Sequence, residues 1–209
     1  MNRRAFARHL VAVALASGCR RREESPEVQA SAPTDYPMTL EDYDFGGDFT
    51  LTDHHATPFS LTQLRGKFVL VFFGYTLCPD VCPMTMSKIT RAFEILGPAK
   101  TQVETLFISV DVDRDTPAVL ADYVKAFDVP VTGLTGTREE VDAVVGRYNA
   151  AYEIVPSASA GGPTVTHTTY TYLVDRRGKL RHLFRHNDTA ETIAKMVQIA
   201  IAADPQASS

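Results

Sequence analysis

Two cysteines stand four residues apart in "GYTLCPDVCPM", Gly74 to Met84, and each is followed by proline. The stretch comes directly after the apolar run "FVLVFF", Phe68 to Phe73. Two thiols so placed have four roles open to them: small buried hydrophobes, a structural disulfide, a redox couple or part of a metal site. Both fall in a proline-rich loop rather than on an apolar face, which argues against simple core packing. A disulfide closing so short a loop removes little unfolded-state entropy, so a purely structural bridge stabilises little. Redox chemistry and metal binding remain, and both need thiolates. Cys82 reads as the start of a helix with Pro83 in its first turn, where the partial positive charge of the helix N-terminus favours a thiolate.

Two thiolates alone make an incomplete copper or zinc site, and the chain has six histidines to supply a third ligand. His9 falls in the N-terminal segment. His54 and His55 sit in a polar connection and read as exposed. His182 and His186 lie in or after the last strand and read as surface residues. His167 differs: it follows a Gly/Pro/Ser loop and begins the segment "HTTYTYLVD". Taken alone, it is most simply a hydrogen-bonded histidine at a strand end. Asp80, between the cysteines, reads equally as a docking or metal-exchange residue and as a solvated acid near a helix start. Asp111 and Asp115 read as caps of the following helix. Met84 and Met86 are soft enough to bind copper but fall at helical spacing and read as packing residues.

The elements that must position these side chains follow from periodicity. "FTLTD", Phe49 to Asp53, alternates like an edge strand, and "HHATPFSLTQLRGK" reads as a hairpin-like connection. "FVLVFF" has the pattern of a strand buried on both faces of a parallel sheet. Met86, Ile89, Phe93 and Leu96 recur at helical spacing. "VETLFISV", Val103 to Val110, is a second core strand, and Pro117 suits the first turn of the next helix. Thr137 and Glu140 have capping-box spacing. "YEIV" is a short strand, and Pro156 to Thr166 a loop. "HTTYTYLVD" and "KLRHLFRH" are strands joined by a turn containing Gly178. A last helix follows, with Asp188 as cap and Glu191 three residues on. Strands alternating with helices, then a hairpin and a helix, predict an α/β domain with a mixed sheet.

The 209 residues are 44% apolar and 22% charged, with a net charge of −4. That suits one globular domain plus extensions and gives no footprint for nucleic acid. The start, "MNRRAFARHLVAVALASGC", reads as an export signal over 1–18: Arg3, Arg4 and Arg8, then the short apolar run Leu10 to Leu15. "NRRAF" is similar to a twin-arginine signal. "LASGC" resembles the lipobox of bacterial lipoproteins, with Ala16 where Leu is usual, so Cys19 is expected to carry lipid. Residues 19–40 are charged, aperiodic and rich in Pro, Ala and Ser, the composition of a flexible tether, and the domain is expected over 41–205. Removing 1–18 leaves a net charge of −7. An exported chain sits in an oxidising compartment, where a Cys78–Cys82 disulfide can persist.

"GYTLCPDVCPMTM", "SVDVDRDTP" and "VTHTTYTYLVDRRG", in this order, resemble the Sco/SenC family over about residues 45–203. The resemblance implies a thioredoxin-like domain with an N-terminal hairpin extension, tethered to the periplasmic face of a bacterial membrane. It also implies a copper chaperone serving the Cu(A) centre of cytochrome c oxidase, with a copper donor or thiol reductant as a further partner. The family's copper ligands fall on Cys78, Cys82 and His167. In a thioredoxin-like fold His167 lies beside the cysteines. Thr166 stands where the family often has an acid, and Val112 and Arg176 where proline is common; the last two read as loop variation. Two other functions use the same residues. A thiol–disulfide oxidoreductase needs Cys78 and Cys82 but not His167. A peroxiredoxin-like peroxidase is the weaker alternative: Thr76 precedes Cys78 by two residues, but the full peroxidatic pattern is missing.

Overall fold

The computed structural model describes residues 38–157 and 162–204. The expected signal, Cys19 and nearly all of the tether lie outside them. The first elements are a hairpin, β1 (Thr50–Asp53) and β2 (Pro58–Ser60). Its turn is tied by the Asp53 carboxylate, which accepts the backbone N–H groups of His55 and Thr57 at 2.9 Å each. β1 is not an edge strand: it pairs with β2 on one side and with a later strand on the other.

Next comes β3 (Phe68–Gly74), buried along its whole length as its unbroken apolar run dictates. Burying each of these large side chains contributes about 1.5–3 kcal/mol. Helix α1 (Val81–Leu96) follows and buries Met86, Ile89, Phe93 and Leu96, the stripe that the spacing predicts. It begins at Val81, one residue before the start read at Cys82, and has Cys82 and Pro83 in its first turn. β4 (Val103–Ser109) pairs parallel to β3 over seven residues. Helix α2 (Pro117–Val124) has Pro117 in its first turn, and its cap is Thr116, whose hydroxyl accepts from Val119 N–H. Asp111 and Asp115 are therefore not the caps expected.

β5 (Val131–Thr135) pairs parallel to β4 and antiparallel to β1. Its sequence, "VTGLT", carries no strong strand pattern; Gly133 is there because a Cβ would press on Leu120 and Val124 of α2 at 3.1–3.2 Å. Helix α3 (Arg138–Arg147) has the predicted capping box between Thr137 and Glu140. β6 (Tyr152–Val155) and β7 (Thr164–His167) form a separate two-stranded ribbon. β8 (Thr171–Val174) and β9 (Leu180–Phe184) are the expected hairpin, turned at Gly178 with φ +84°. Helix α4 (Ala190–Ala203) packs against α1. Its cap is Thr189 rather than Asp188, which lies one residue earlier, buried, and accepts Arg185 N–H at 2.7 Å.

The main sheet runs β2-β1-β5-β4-β3-β8-β9, mixed and flanked by helices, as expected for the α/β class. Because β3, β4 and β5 are parallel and β8 runs against β3, four features meet at one end of the sheet. They are the exit of β3, the exit of β4, the start of α2 and the entry to β8. Arg176, expected as loop variation, is instead a buried clamp: its guanidinium lies 4.8 Å over the Phe68 ring and bonds Gln102 and the Asp204 carbonyl.

Candidate metal and thiol centre

The chain leaves β3 at Gly74 and turns at once, Cys78 N–H donating to the Tyr75 carbonyl at 3.3 Å. Gly74 is required by close approach: a Cβ there would lie 2.8 Å from Cys82 Sγ and from the Phe107 ring. Cys82 N–H donates to Cys78 Sγ at 3.4 Å. Cys78 is half-buried and Cys82 fully buried, both as free thiols. Cys82 thus belongs to the core as well as to the site. Asp80 takes the N-cap position of α1, but its side chain makes no capping bond and stays exposed.

His167 ends β7 rather than beginning β8, because the strand pairing is interrupted between the two at Thr168–Tyr170. Its Nδ1 lies 2.9 Å from the Thr168 carbonyl, which can only accept, so Nδ1 carries the proton. Nε2 is left with its lone pair, 3.5 Å from Cys82 Sγ. Phe72 and Tyr75 hold the ring edge-on, with centroids at 5.9 and 6.0 Å. The ligand atoms of Cys78, Cys82 and His167 all lie within 4.8 Å of one another, and among the described residues no other such cluster of three occurs.

The two thiols differ. Burial works against the Cys78 thiolate, but backbone N–H groups of Asp80, Cys82 and Val81 and the Cys82 thiol outweigh it and lower its pKa. Burial pushes the Cys82 thiol far up, despite the Tyr75 backbone N–H. Burial also lowers the His167 pKa below the usual histidine value, partly opposed by the Thr168 carbonyl, so the ring is the neutral form that a metal requires. Two soft sulfurs and one imidazole within reach of a single ion are a donor set that fits copper and would also accept zinc.

The other candidates fall elsewhere. His54 is half-buried, its Nδ1 accepting Gly133 N–H at 3.1 Å, not exposed as expected; His55 is exposed. His182 is 3% exposed, against the surface reading, and its Nδ1 meets the Thr39 carbonyl at 3.1 Å. Met86 packs in the core, while Met84 is exposed and does not. Asp111 pairs with Arg114 at 2.5 Å. Asp115 turns toward the cysteine loop, accepting from the backbone and hydroxyl of Thr76, a contact that a capping role had hidden.

Around the centre lies a largely apolar groove of about 320 Å³, between Tyr75 and Cys78–Val81 on one side and Thr164–His167 on the other. Leu77, in the cysteine loop, and Met84, in the first turns of α1, are exposed apolar side chains close in sequence to the two cysteines. A second cavity of about 210 Å³, near Phe93, Lys100 and Asp128, holds no metal-ligating cluster among the described residues.

Fold and site together define a thioredoxin-like domain with a two-thiol, one-imidazole centre. The SCO1/SenC family model matches residues 37–202, and the chain belongs to that family. It is 36% identical over 149 residues to an SCO2-like protein of Rickettsia felis, covering 70% of this chain and 72% of the relative. To Protein SenC of Rhodobacter capsulatus it is 37% identical over 154 residues, covering 73% of this chain and 68% of the relative. The structure of Bradyrhizobium japonicum ScoI with copper bound superimposes with a TM-score of 0.68 at 36% identity, covering 75% of this chain and 99% of that one.

Proposed function

We propose that this chain is a copper chaperone: it binds one copper ion through Cys78, Cys82 and His167 and passes it to a partner. The family resemblance makes the Cu(A) subunit of cytochrome c oxidase the client. The observation that carries the reading is the convergence of two sulfurs and one metal-competent imidazole nitrogen within 4.8 Å. A relative's structure holding copper adds support. Copper is cargo here, and a small ligand set suits that role. Cys78 is half-exposed and faces the groove, so an incoming ligand can reach the metal there while Cys82 and His167 keep their hold. The largely apolar groove beside Cys78, with exposed Leu77 in the same loop, offers a partner a docking surface. The domain, 41–205, works from a tether, 19–40, anchored by lipid on Cys19 at the periplasmic face after loss of residues 1–18.

A second reading rests on the unlike thiols. An accessible Cys78 with lowered pKa beside a buried Cys82 is the arrangement of an attacking and a resolving cysteine. A thiol–disulfide exchange step on a partner would use this pair, and it is compatible with copper transfer, which needs reduced thiols at both ends. Titration of the reduced protein with copper separates the two. One equivalent should bind, and His167→Ala should weaken Cu(II) binding by at least about tenfold while leaving the Cys78–Cys82 disulfide able to form. Unchanged Cu(II) binding by the variant would favour the oxidoreductase.

A further inference from the structure

Asp115 is a carboxylate with no exposed surface, and nothing in the chemistry above uses it. One of its oxygens accepts the Thr76 hydroxyl at 2.6 Å. The other accepts Thr76 N–H at 2.9 Å and the Ser109 hydroxyl at 2.6 Å. Thr76 is two residues before Cys78. Ser109 ends β4 and is paired with Gly74, the residue packed beneath Cys82. One buried group therefore ties the cysteine loop, the end of β4 and the approach to α2. The Arg114 guanidinium beside it in sequence goes to Asp111, and among the described residues no cation pairs with Asp115. Three donors satisfy its hydrogen bonding and leave its charge uncompensated.

We infer that Asp115 is a positioning residue that also sets the oxidation-state preference of the copper centre, holding the Thr76–Cys78 loop and favouring Cu(II) over Cu(I) by its buried negative charge. This rests on the copper reading. Two thiolates and a neutral imidazole make a neutral centre with Cu(II) and an anionic one with Cu(I). A nearby buried anion therefore opposes the reduced form, through a medium far less screening than water. The carboxylate reaches the centre from two sides: through Thr76, two residues before Cys78, and through Ser109, paired with Gly74, where a Cβ would lie 2.8 Å from Cys82 Sγ.

Charge and positioning separate by substitution in the full chain. Asp115→Asn keeps the shape and can still accept Thr76 N–H. Thr76→Val keeps the charge and removes one bond to the loop. Cu(I) and Cu(II) affinities are measured separately by competition with chelators. Asp115→Asn should lower the Cu(II)/Cu(I) affinity ratio about tenfold, equivalent to ~59 mV for a one-electron couple. Thr76→Val should weaken both ions together and, because it too removes one donor from the carboxylate, should raise the ratio rather than lower it, the opposite direction to Asp115→Asn. A ratio unchanged in a folded Asp115→Asn protein overturns the inference. If that variant does not fold, Ser109→Ala decides: losing one donor leaves the carboxylate less neutralised, so the ratio should rise, and an unchanged ratio overturns the inference equally. No copper bound by the wild-type chain would overturn the copper reading itself, and this inference with it.

Discussion

At the scale of single residues, two half-buried histidines and one buried one share one electrostatic consequence. Burial lowers the pKa of His54, His167 and His182. A histidine whose folded pKa lies below its unfolded value binds more protons when unfolded. Its contribution is therefore full above the unfolded value, about 6.5, and is lost as pH falls through the lowered folded value. Stability of the metal-free protein should fall as pH drops from 7.5 to 5. His167→Asn should flatten that fall, read from denaturant midpoints at several pH values; an unaltered pH dependence would mean that His167 is not held neutral by burial. Legibility at this scale was uneven. Cys78 and Cys82 were readable because their spacing and prolines are local. His167 became a site residue only through the family resemblance, since its neighbours in space are more than eighty positions away in sequence. Thr76, Ser109 and Asp115 were not read as a unit, because short polar side chains give no periodic pattern.

Among the elements, the exit of β3 and the first turn of α1 decide the cysteine geometry. β3 was legible as an unbroken apolar run, and α1 from its buried stripe. The start of α1 was legible to within one residue, because Pro83 after Cys82 suits a first helical turn. β5 was missed since glycine at 133 breaks its pattern while serving contact with α2. The boundary between β7 and β8 was hidden inside a run of Thr and Tyr that favours strand throughout. That misplacement left the proximity of His167 intact, because the entry to β8 and the end of β7 lie at the same end of the sheet. Gly74→Ala tests the junction. A methyl group 2.8 Å from Cys82 Sγ and the Phe107 ring must displace one of them. Stability should fall by about 1–3 kcal/mol, the usual range for overpacking, and copper affinity should fall with it. Calorimetry and a copper titration of the variant check this; wild-type values in both would show that Cys82 is not fixed by the strand beneath it.

The described domain carries its two-thiol, one-imidazole centre at one end of the main sheet. A largely apolar groove lies beside the centre, and the N-terminal segment is read as a membrane attachment. If Cys19 is lipidated, full-length protein expressed in a bacterium should fractionate with membranes, and Cys19→Ser should shift it to the soluble or unprocessed fraction. Mature protein that begins at another residue and stays soluble would remove the anchor from the account. The central claim is the ligand set, and X-ray absorption at the copper edge of the loaded protein reads it directly. The account predicts two sulfur scatterers and one imidazole nitrogen, with the imidazole signature lost in His167→Ala. A shell of sulfur alone, or an imidazole signature that survives His167→Ala, would contradict it.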